Sequence, residues 1–259
     1  MPVLLIDADD FLAGVPWSLV ENLKGEPLIE RYSIVRTFNP SGYPENRVAV
    51  SAASKAVVFA DPDLGDDKSE FPGMVDARDE GKRIAARFRN SVLLEGPGAS
   101  REAFLRALPN FQLLHFEGHG MANGGFGGLV LSGKPPLVDA EQISHLDLSH
   151  LSLAVLAGCS TGIGLETGSA NADTLVRGFL DAGAARVVAA SWDTDSFASR
   201  QLMDHFYDEL LGGATASGAL RRAMLALRAQ APTSHPSAWA AFQLYGSPES
   251  NLQQTAKHR

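Results

Sequence analysis

The single cysteine of the sequence, Cys159, and one of its histidines, His119, have the side chains that nucleophilic peptide hydrolysis requires. A thiol attacks a carbonyl carbon as its thiolate, and a neighbouring imidazole produces that thiolate by accepting the thiol proton. Each residue follows an apolar run and is flanked by glycine, in Glu117-Gly-His-Gly120 and Gly158-Cys-Ser-Thr-Gly162. We therefore predict a catalytic dyad with Cys159 as the nucleophile and His119 as its base.

The flanking glycines indicate how such a site would stabilise negative charge. A residue without a side chain lets the substrate backbone approach closely. The backbone N–H groups of Gly120 and Cys159 are predicted to form an oxyanion hole, in which fixed donors face the developing charge.

Two alternatives to this dyad are present in the same segments. His115 could serve as the base, but it lies inside the apolar run, where a side chain is more often packed than exposed. Gly158-Cys-Ser-Thr-Gly162 also fits the G-x-S-x-G nucleophile elbow, with Ser160 as nucleophile and His205 or His235 as partner. The elbow requires a helix directly afterwards, and two glycines within residues 163–168 disfavour one.

The sequence does not predict a metal or cofactor site. His115 and His119 are four apart on a predicted strand, about 13 Å, which is too far to share one ion. His115-Phe-Glu117 matches part of a zinc deaminase signature, but the required C-x-x-C is absent. The acidic stretch over residues 61–67 lacks the ligand spacing of a calcium loop and is interpreted as a solvated turn.

The segment Ser191-Trp-Asp-Thr-Asp195 offers candidates for substrate binding. Trp192 could form the wall of a pocket, and Asp193 or Asp195 could attract a basic side chain. Asp195 has a second interpretation, because it precedes a predicted helix and Asp is a favoured N-cap.

Apolar strand-like runs alternate with helical patterns along the chain, which predicts an α/β fold: a mostly parallel central sheet with helices on both faces. Ligand sites in such sheets form at the carboxyl ends of the strands. The predicted strands cover Val3–Ile6, Tyr32–Thr37, Ala56–Ala60, Val92–Leu94, Phe111–Phe116, Leu151–Ala157, Arg186–Trp192 and Ala240–Tyr245, with a small hairpin of Leu129–Leu131 and Pro136–Val138. The predicted helices cover Pro16–Leu23, Asp76–Phe88, Ser100–Leu108, Asp173–Ala182, Ser196–Leu211 and Thr215–Gln230, and residues 40–44 are predicted as a loop.

Composition limits the possible partners. The chain has 259 residues and a formal net charge of -8, so it lacks the positive field that attracts nucleic acid. Its apolar runs are shorter than the ~18 residues of a membrane-spanning helix, and its first residues lack the basic region of a signal peptide. One cysteine allows no internal disulfide. We expect a cytoplasmic protein that binds neither nucleic acid nor membrane.

A succession of short motifs resembles the CHAT domain, a family of the caspase-like clan that also contains separase, gingipain and clostripain. The motifs, which follow the family's order over nearly the whole chain, are His115-Phe-Glu-Gly-His-Gly120, Gly127-Gly-Leu-Val-Leu-Ser132, Leu156-Ala-Gly-Cys-Ser-Thr-Gly162, Arg177-Gly-Phe-Leu-Asp-Ala-Gly183, Val187-Val-Ala-Ala-Ser-Trp192 and Trp239-Ala-Ala-Phe-Gln-Leu-Tyr-Gly246. The resemblance implies a caspase-like three-layer sandwich. It also implies that His119 and Cys159 are the catalytic pair of a cysteine endopeptidase.

The resemblance also implies a domain organisation and a setting. Residues 1–50 would form the N-terminal part of the domain, 51–250 the catalytic core and 251–259 a disordered tail. Asp193 stands where a caspase has an arginine, which implies a preference for basic rather than acidic substrate residues. Family members often follow tetratricopeptide repeats and act in bacterial defence or programmed death, so a regulatory partner of that kind is expected. A non-catalytic interaction module with the same fold is the alternative.

Overall fold

The computed structural model describes residues 1–7, 12, 14–38, 48–65, 74–123, 126–157 and 170–248. The predicted loop at 40–44 and the predicted tail at 251–259 lie outside these residues. The strands are β1 (Val3–Asp7), β2 (Ser33–Thr37), β3 (Lys55–Pro62), β4 (Asn90–Gly96), β5 (Leu113–Glu117), β6 (Gly120–Asn123), β7 (Phe126–Val130), β8 (Leu137–Asp139), β9 (Leu153–Leu156), β10 (Arg186–Ala190) and β11 (Phe242–Gly246). The helices are α1 (Val75–Ala86), α2 (Arg101–Ala107), α3 (Ala140–Ser144), α4 (Ala170–Asp181), α5 (Ser196–Leu211), α6 (Ala216–Arg228) and α7 (Pro236–Trp239).

The central sheet confirms the predicted α/β class. Among the described residues it has the strand order β1-β2-β11-β10-β9-β5-β3-β4. All neighbouring pairs are parallel except β10 with β11, so β1, β2 and β11 run opposite to the other strands. The strands predicted within residues 1–50 belong to this same sheet.

Two apolar clusters cover the two faces of the sheet and make the fold a three-layer sandwich. Along β3 the buried side chains alternate between the clusters, because successive residues of a strand point to opposite faces. Ala56 and Val58 pack with α1, α5 and α6, whereas Val57 and Phe59 pack with α2, α3 and α4. Residues Ala56 to Ala60 are fully buried, which explains why this part of the strand is apolar without interruption.

Local sequence signals account for several helix ends. The Ser100 hydroxyl accepts a hydrogen bond from the Ala103 amide at 3.2 Å, and Thr215 caps α6 in the same way at 3.1 Å. Gly183, after α4, has a φ of +104°, a conformation that favours glycine.

Two local predictions were incomplete or wrong, and a short helix was not predicted. The helix predicted over Pro16–Leu23 is only a 3-10 turn at Trp17–Leu19, after which Glu21 forms a β-bridge with Pro27. The predicted hairpin is part of a three-stranded antiparallel sheet, β6-β7-β8. The short helix α3 was missed, although Asp139 and Gln142 give it a capping box.

Candidate active site at the carboxyl edge of the sheet

His119 lies in the connection between β5 and β6, directly beyond the carboxyl end of a central strand. Its backbone carbonyl accepts a hydrogen bond from the Val130 amide at 2.9 Å, which ties the connection to β7. The residue is partly exposed, whereas every residue of β5 is buried. Gly120, the other predicted site residue here, is the first residue of β6 and is also partly exposed.

Cys159 and Ser160 lie outside the described residues, but the strand that leads towards them is described. β9 pairs in parallel with β5, and the last pair in register is Phe116 with Leu156. The pairing continues one residue further, because the Ala157 amide donates to the Phe116 carbonyl at 2.9 Å. In the sequence, His119 and Cys159 each stand three positions after that last pair.

His115, the alternative base, is fully buried inside β5. Its Nδ1 is 3.1 Å from the Tyr207 hydroxyl, and its Nε2 is 3.7 Å from a carboxylate oxygen of Glu117. Burial lowers the pKa of this histidine to about 4. A neutral imidazole that does not reach the surface is poorly placed to meet a protein substrate.

The histidines considered as partners for Ser160 occupy different parts of the fold. His205 is on α5, nine residues after Ser196, the first residue of the helix. Nine residues correspond to about 13 Å along the helix axis, so His205 lies that far from the end of α5 that adjoins the site. His235 is exposed and caps α7, where its Nδ1 accepts from the Ser237 amide.

The segment after β10 contains the predicted substrate-binding residues. Trp192 is half-buried, and its indole N–H donates to the Ser237 carbonyl at 3.1 Å, which fixes the ring against α7. Asp193 is exposed. Asp195 caps α5, accepting from the amides of Phe197 and Ala198 at 3.0 and 3.2 Å, so the cap considered from the sequence is present.

A cluster of buried ionisable side chains beneath this edge was not predicted. Glu80 of α1 lies beside His115 and Glu117 of β5. Desolvation by burial raises the pKa of both Glu80 and Glu117 to about 8, and the Arg83 guanidinium acts in the opposite direction on each. The two-residue spacing of His115 and Glu117 indicated a shared strand face, but no sequence pattern linked them to Glu80.

Comparisons with known proteins bear on the fold and the family. A family model described as the CHAT domain matches residues 1–247. A mouse protein named Tetratricopeptide repeat protein 28 is 38% identical over 120 residues, which are 45% of this chain and 5% of that protein. The chain therefore spans only a small fraction of the curated relatives that it matches.

Two solved structures with the same fold are of kinds that the sequence resemblance named. Separase from Saccharomyces cerevisiae, in its complex with securin, superposes with a TM-score of 0.61 at 17% identity, over 95% of this chain and 16% of that one. The Arg-specific cysteine proteinase gingipain R superposes with a TM-score of 0.59 at 16% identity, over 83% of this chain and 54% of that one. These similarities confirm the caspase-like α/β fold.

Proposed function

The chain belongs to the CHAT domain family, and on that premise we propose that it is a cysteine endopeptidase. Cys159 is the nucleophile and His119 is the base. The observation that carries the proposal is the register of β5 and β9, since both residues follow the same registered pair at the same distance in sequence. The carboxyl edge of a parallel sheet is also where such folds form their sites.

The proposed chemistry proceeds in two halves. His119 accepts the proton of the Cys159 thiol, and the thiolate attacks the scissile carbonyl carbon to give a tetrahedral oxyanion. The amides of Gly120 and Cys159 donate hydrogen bonds to that oxygen. The C–N bond then breaks while the imidazolium gives its proton to the leaving amine. Water, deprotonated by His119, hydrolyses the thioester and regenerates the thiol.

We propose that the cleaved bond follows a basic residue. Asp193 is the proposed acidic determinant, because it is exposed and directly follows Trp192, whereas Asp195, the alternative, caps α5. Trp192 forms the adjacent wall and is fixed by its bond to Ser237. Gingipain R, which has the same fold, is itself described as Arg-specific.

Proteins are the proposed partners as well as the substrates. One relative is named for tetratricopeptide repeats, and the separase similar in fold was solved in complex with securin. We propose that a regulatory protein, for example one with tetratricopeptide repeats, switches this peptidase in a cytoplasmic defence or cell-death response. In the part of the chain that the structure describes, none of the helices combines the length and apolar character needed to cross a bilayer.

Cleavage of fluorogenic peptides ending in Arg, Lys, Asp or Leu tests the proposal. We expect cleavage after Arg and Lys by the parent chain and by Ser160→Ala, and none by Cys159→Ala or His119→Ala. Loss of activity in Ser160→Ala alone would instead assign a serine hydrolase. Equal cleavage of all four peptides would overturn the role of Asp193.

Alkylation of Cys159 by iodoacetamide across pH tests the dyad even when the peptidase requires an activator. A thiol paired with His119 should react with iodoacetamide at pH values well below ~8.5, the pKa of a free thiol. His119→Ala should abolish the reaction at these low pH values. His205→Ala is the matched control and should leave the profile unchanged. A profile like that of a free thiol in the parent chain would favour the non-catalytic interaction module.

A further inference from the structure

Glu80, His115 and Glu117 converge inside the protein although they come from two different elements. One ligand atom of each lies within 4.8 Å of those of the other two. The residues are 3%, 0% and 6% exposed, so none of these groups is hydrated at the surface. His115 and Glu117 share a face of β5, and α1 brings Glu80 onto that face.

Three polar atoms of this cluster have no hydrogen-bond partner among the described residues: Glu80 Oε1, His115 Nε2 and Glu117 Oε2. Buried polar atoms are nearly always partnered, because an unmade hydrogen bond costs about 1–3 kcal/mol. The 3.7 Å between His115 Nε2 and Glu117 Oε2 is too long for a hydrogen bond. Three unpartnered atoms in three side chains that converge indicate a ligand that all three side chains can share.

The imidazole is oriented as in a metal site. The Tyr207 hydroxyl, 3.1 Å from Nδ1, can accept a hydrogen bond from the Nδ1 proton and so leave a lone pair on Nε2, which lies 3.7 Å from the Glu117 carboxylate. Histidines that bind metals commonly donate their other ring N–H to a neighbouring acceptor, which fixes the tautomer.

The charges around the cluster also leave room for a cation. Arg83 of α1 faces both carboxylates, but it is itself 3.6 Å from the Asp204 carboxylate of α5. Arg87 is held by Asp204 and Asp208. Two cations, Arg83 and Arg87, therefore face four carboxylates, those of Glu80, Glu117, Asp204 and Asp208, so the two buried carboxylates require a proton or a metal ion to be neutralised.

We propose that Glu80, His115 and Glu117 form a binding site for a divalent transition-metal ion of the zinc class. One imidazole nitrogen and two carboxylate oxygens suit zinc, whereas calcium takes six to eight oxygen ligands and magnesium binds oxygen and water. Zinc ligands lie at about 2.0–2.2 Å from the ion, so the three atoms have to approach one another by roughly 1 Å on binding. The ion would join α1 to the strand that leads to His119.

Metal titration tests this site without a measurement of activity. The titration uses the tag-free Cys159→Ala chain, from which bound metal has been removed with a chelator, so that the only thiol cannot bind the metal. Zinc is titrated in competition with a chromophoric chelator, and cobalt(II) is added to record its visible absorption. We expect one equivalent of either metal and a rise in the melting temperature with zinc. Glu80→Gln and Glu117→Gln should each weaken binding at least tenfold, whereas His205→Gln, a histidine outside the cluster, should not.

Tyr207→Phe provides a second variant that keeps all three ligands. It should weaken zinc binding about tenfold or more, as losses of groups that orient a metal ligand do. Near-ultraviolet circular dichroism checks that each variant is folded, and a Glu80→Gln chain that fails to fold leaves Tyr207→Phe as the deciding variant. Less than one equivalent in the parent, or equal affinity in the folded variants, would overturn the proposal and leave a cluster that holds only protons.

Discussion

Gly118 provides a test of how the core sets the position of the candidate catalytic histidine. A Cβ atom at Gly118 would lie 2.8 Å from Cζ of Phe116 and 3.1 Å from Cδ of Pro62. The Phe116 ring is fully buried and Pro62 is the last residue of β3, so neither can move aside freely. Gly118 does not have a left-handed backbone, so the effect of Gly118→Ala is steric.

The expected cost of Gly118→Ala follows from two opposing effects. Overpacking a core costs about 1–3 kcal/mol, whereas replacing glycine reduces the entropy of the unfolded chain and returns about 0.4–1 kcal/mol. The free energy of unfolding should therefore fall by about 1–2 kcal/mol, measured by urea denaturation. Because His119 is the next residue, a displacement near 1 Å should also lower kcat of the proposed peptidase by up to about 100-fold.

Gly178→Ala is the matched control for this experiment. A Cβ at Gly178 would lie 2.6 Å from the Ala140 carbonyl oxygen, in the contact of α4 with α3. This variant should lose comparable stability while kcat per folded molecule changes little. An unchanged urea midpoint in Gly118→Ala, or an equal loss of kcat in both variants, would refute the idea that packing at Gly118 positions His119.

Three further substitutions test other contacts. Asp195→Ala should lower the free energy of unfolding by about 0.5–2 kcal/mol through loss of the α5 cap, measured in urea, whereas Asp195→Asn should keep most of it. Phe104→Ala removes a fully buried ring that packs edge-on against Phe59 at 5.1 Å and should cost about 3–5 kcal/mol, and a loss below 1 kcal/mol would contradict the described core. Tyr245→Phe removes the hydroxyl that accepts from Arg36 at 3.0 Å and should cost about 1.5–3 kcal/mol by thermal denaturation, which an unchanged melting temperature would exclude.

The strands were predictable because buried strands consist mainly of apolar residues. Residues 56–60 of β3 are buried on both faces of the sheet and are all apolar, and β5 is apolar apart from His115 and Glu117. The helix predicted over residues 16–23 was wrong although the apolar residues of this segment have helical spacing. The chain turns shortly after the segment, at Gly25, whose φ is +74°. Helical periodicity cannot detect a turn that a residue beyond the pattern imposes.

The candidate site was predictable only where its residues follow strands of one sheet. His119 and Trp192 follow β5 and β10, so the rule for parallel sheets brought them to the same edge. Glu80 is on a helix, and its approach to His115 depends on how α1 packs, which a single sequence does not encode as a pattern.

The buried face of β5 links the two proposals without making them depend on each other. His119 follows β5 and contacts substrate in the proposed reaction, whereas His115 and Glu117 lie within β5 and face α1 and α5. Phe116 packs in an apolar cluster on one side of β5, and His115 lies beside Tyr207 and Glu80 on the other side, so the strand has little freedom to tilt. Weakening the polar side should therefore loosen the position of His119 without changing a group that contacts substrate. The two proposals can be refuted independently of each other. Zinc affinity is measured in Cys159→Ala, whereas peptide cleavage is measured in the chain that keeps the thiol.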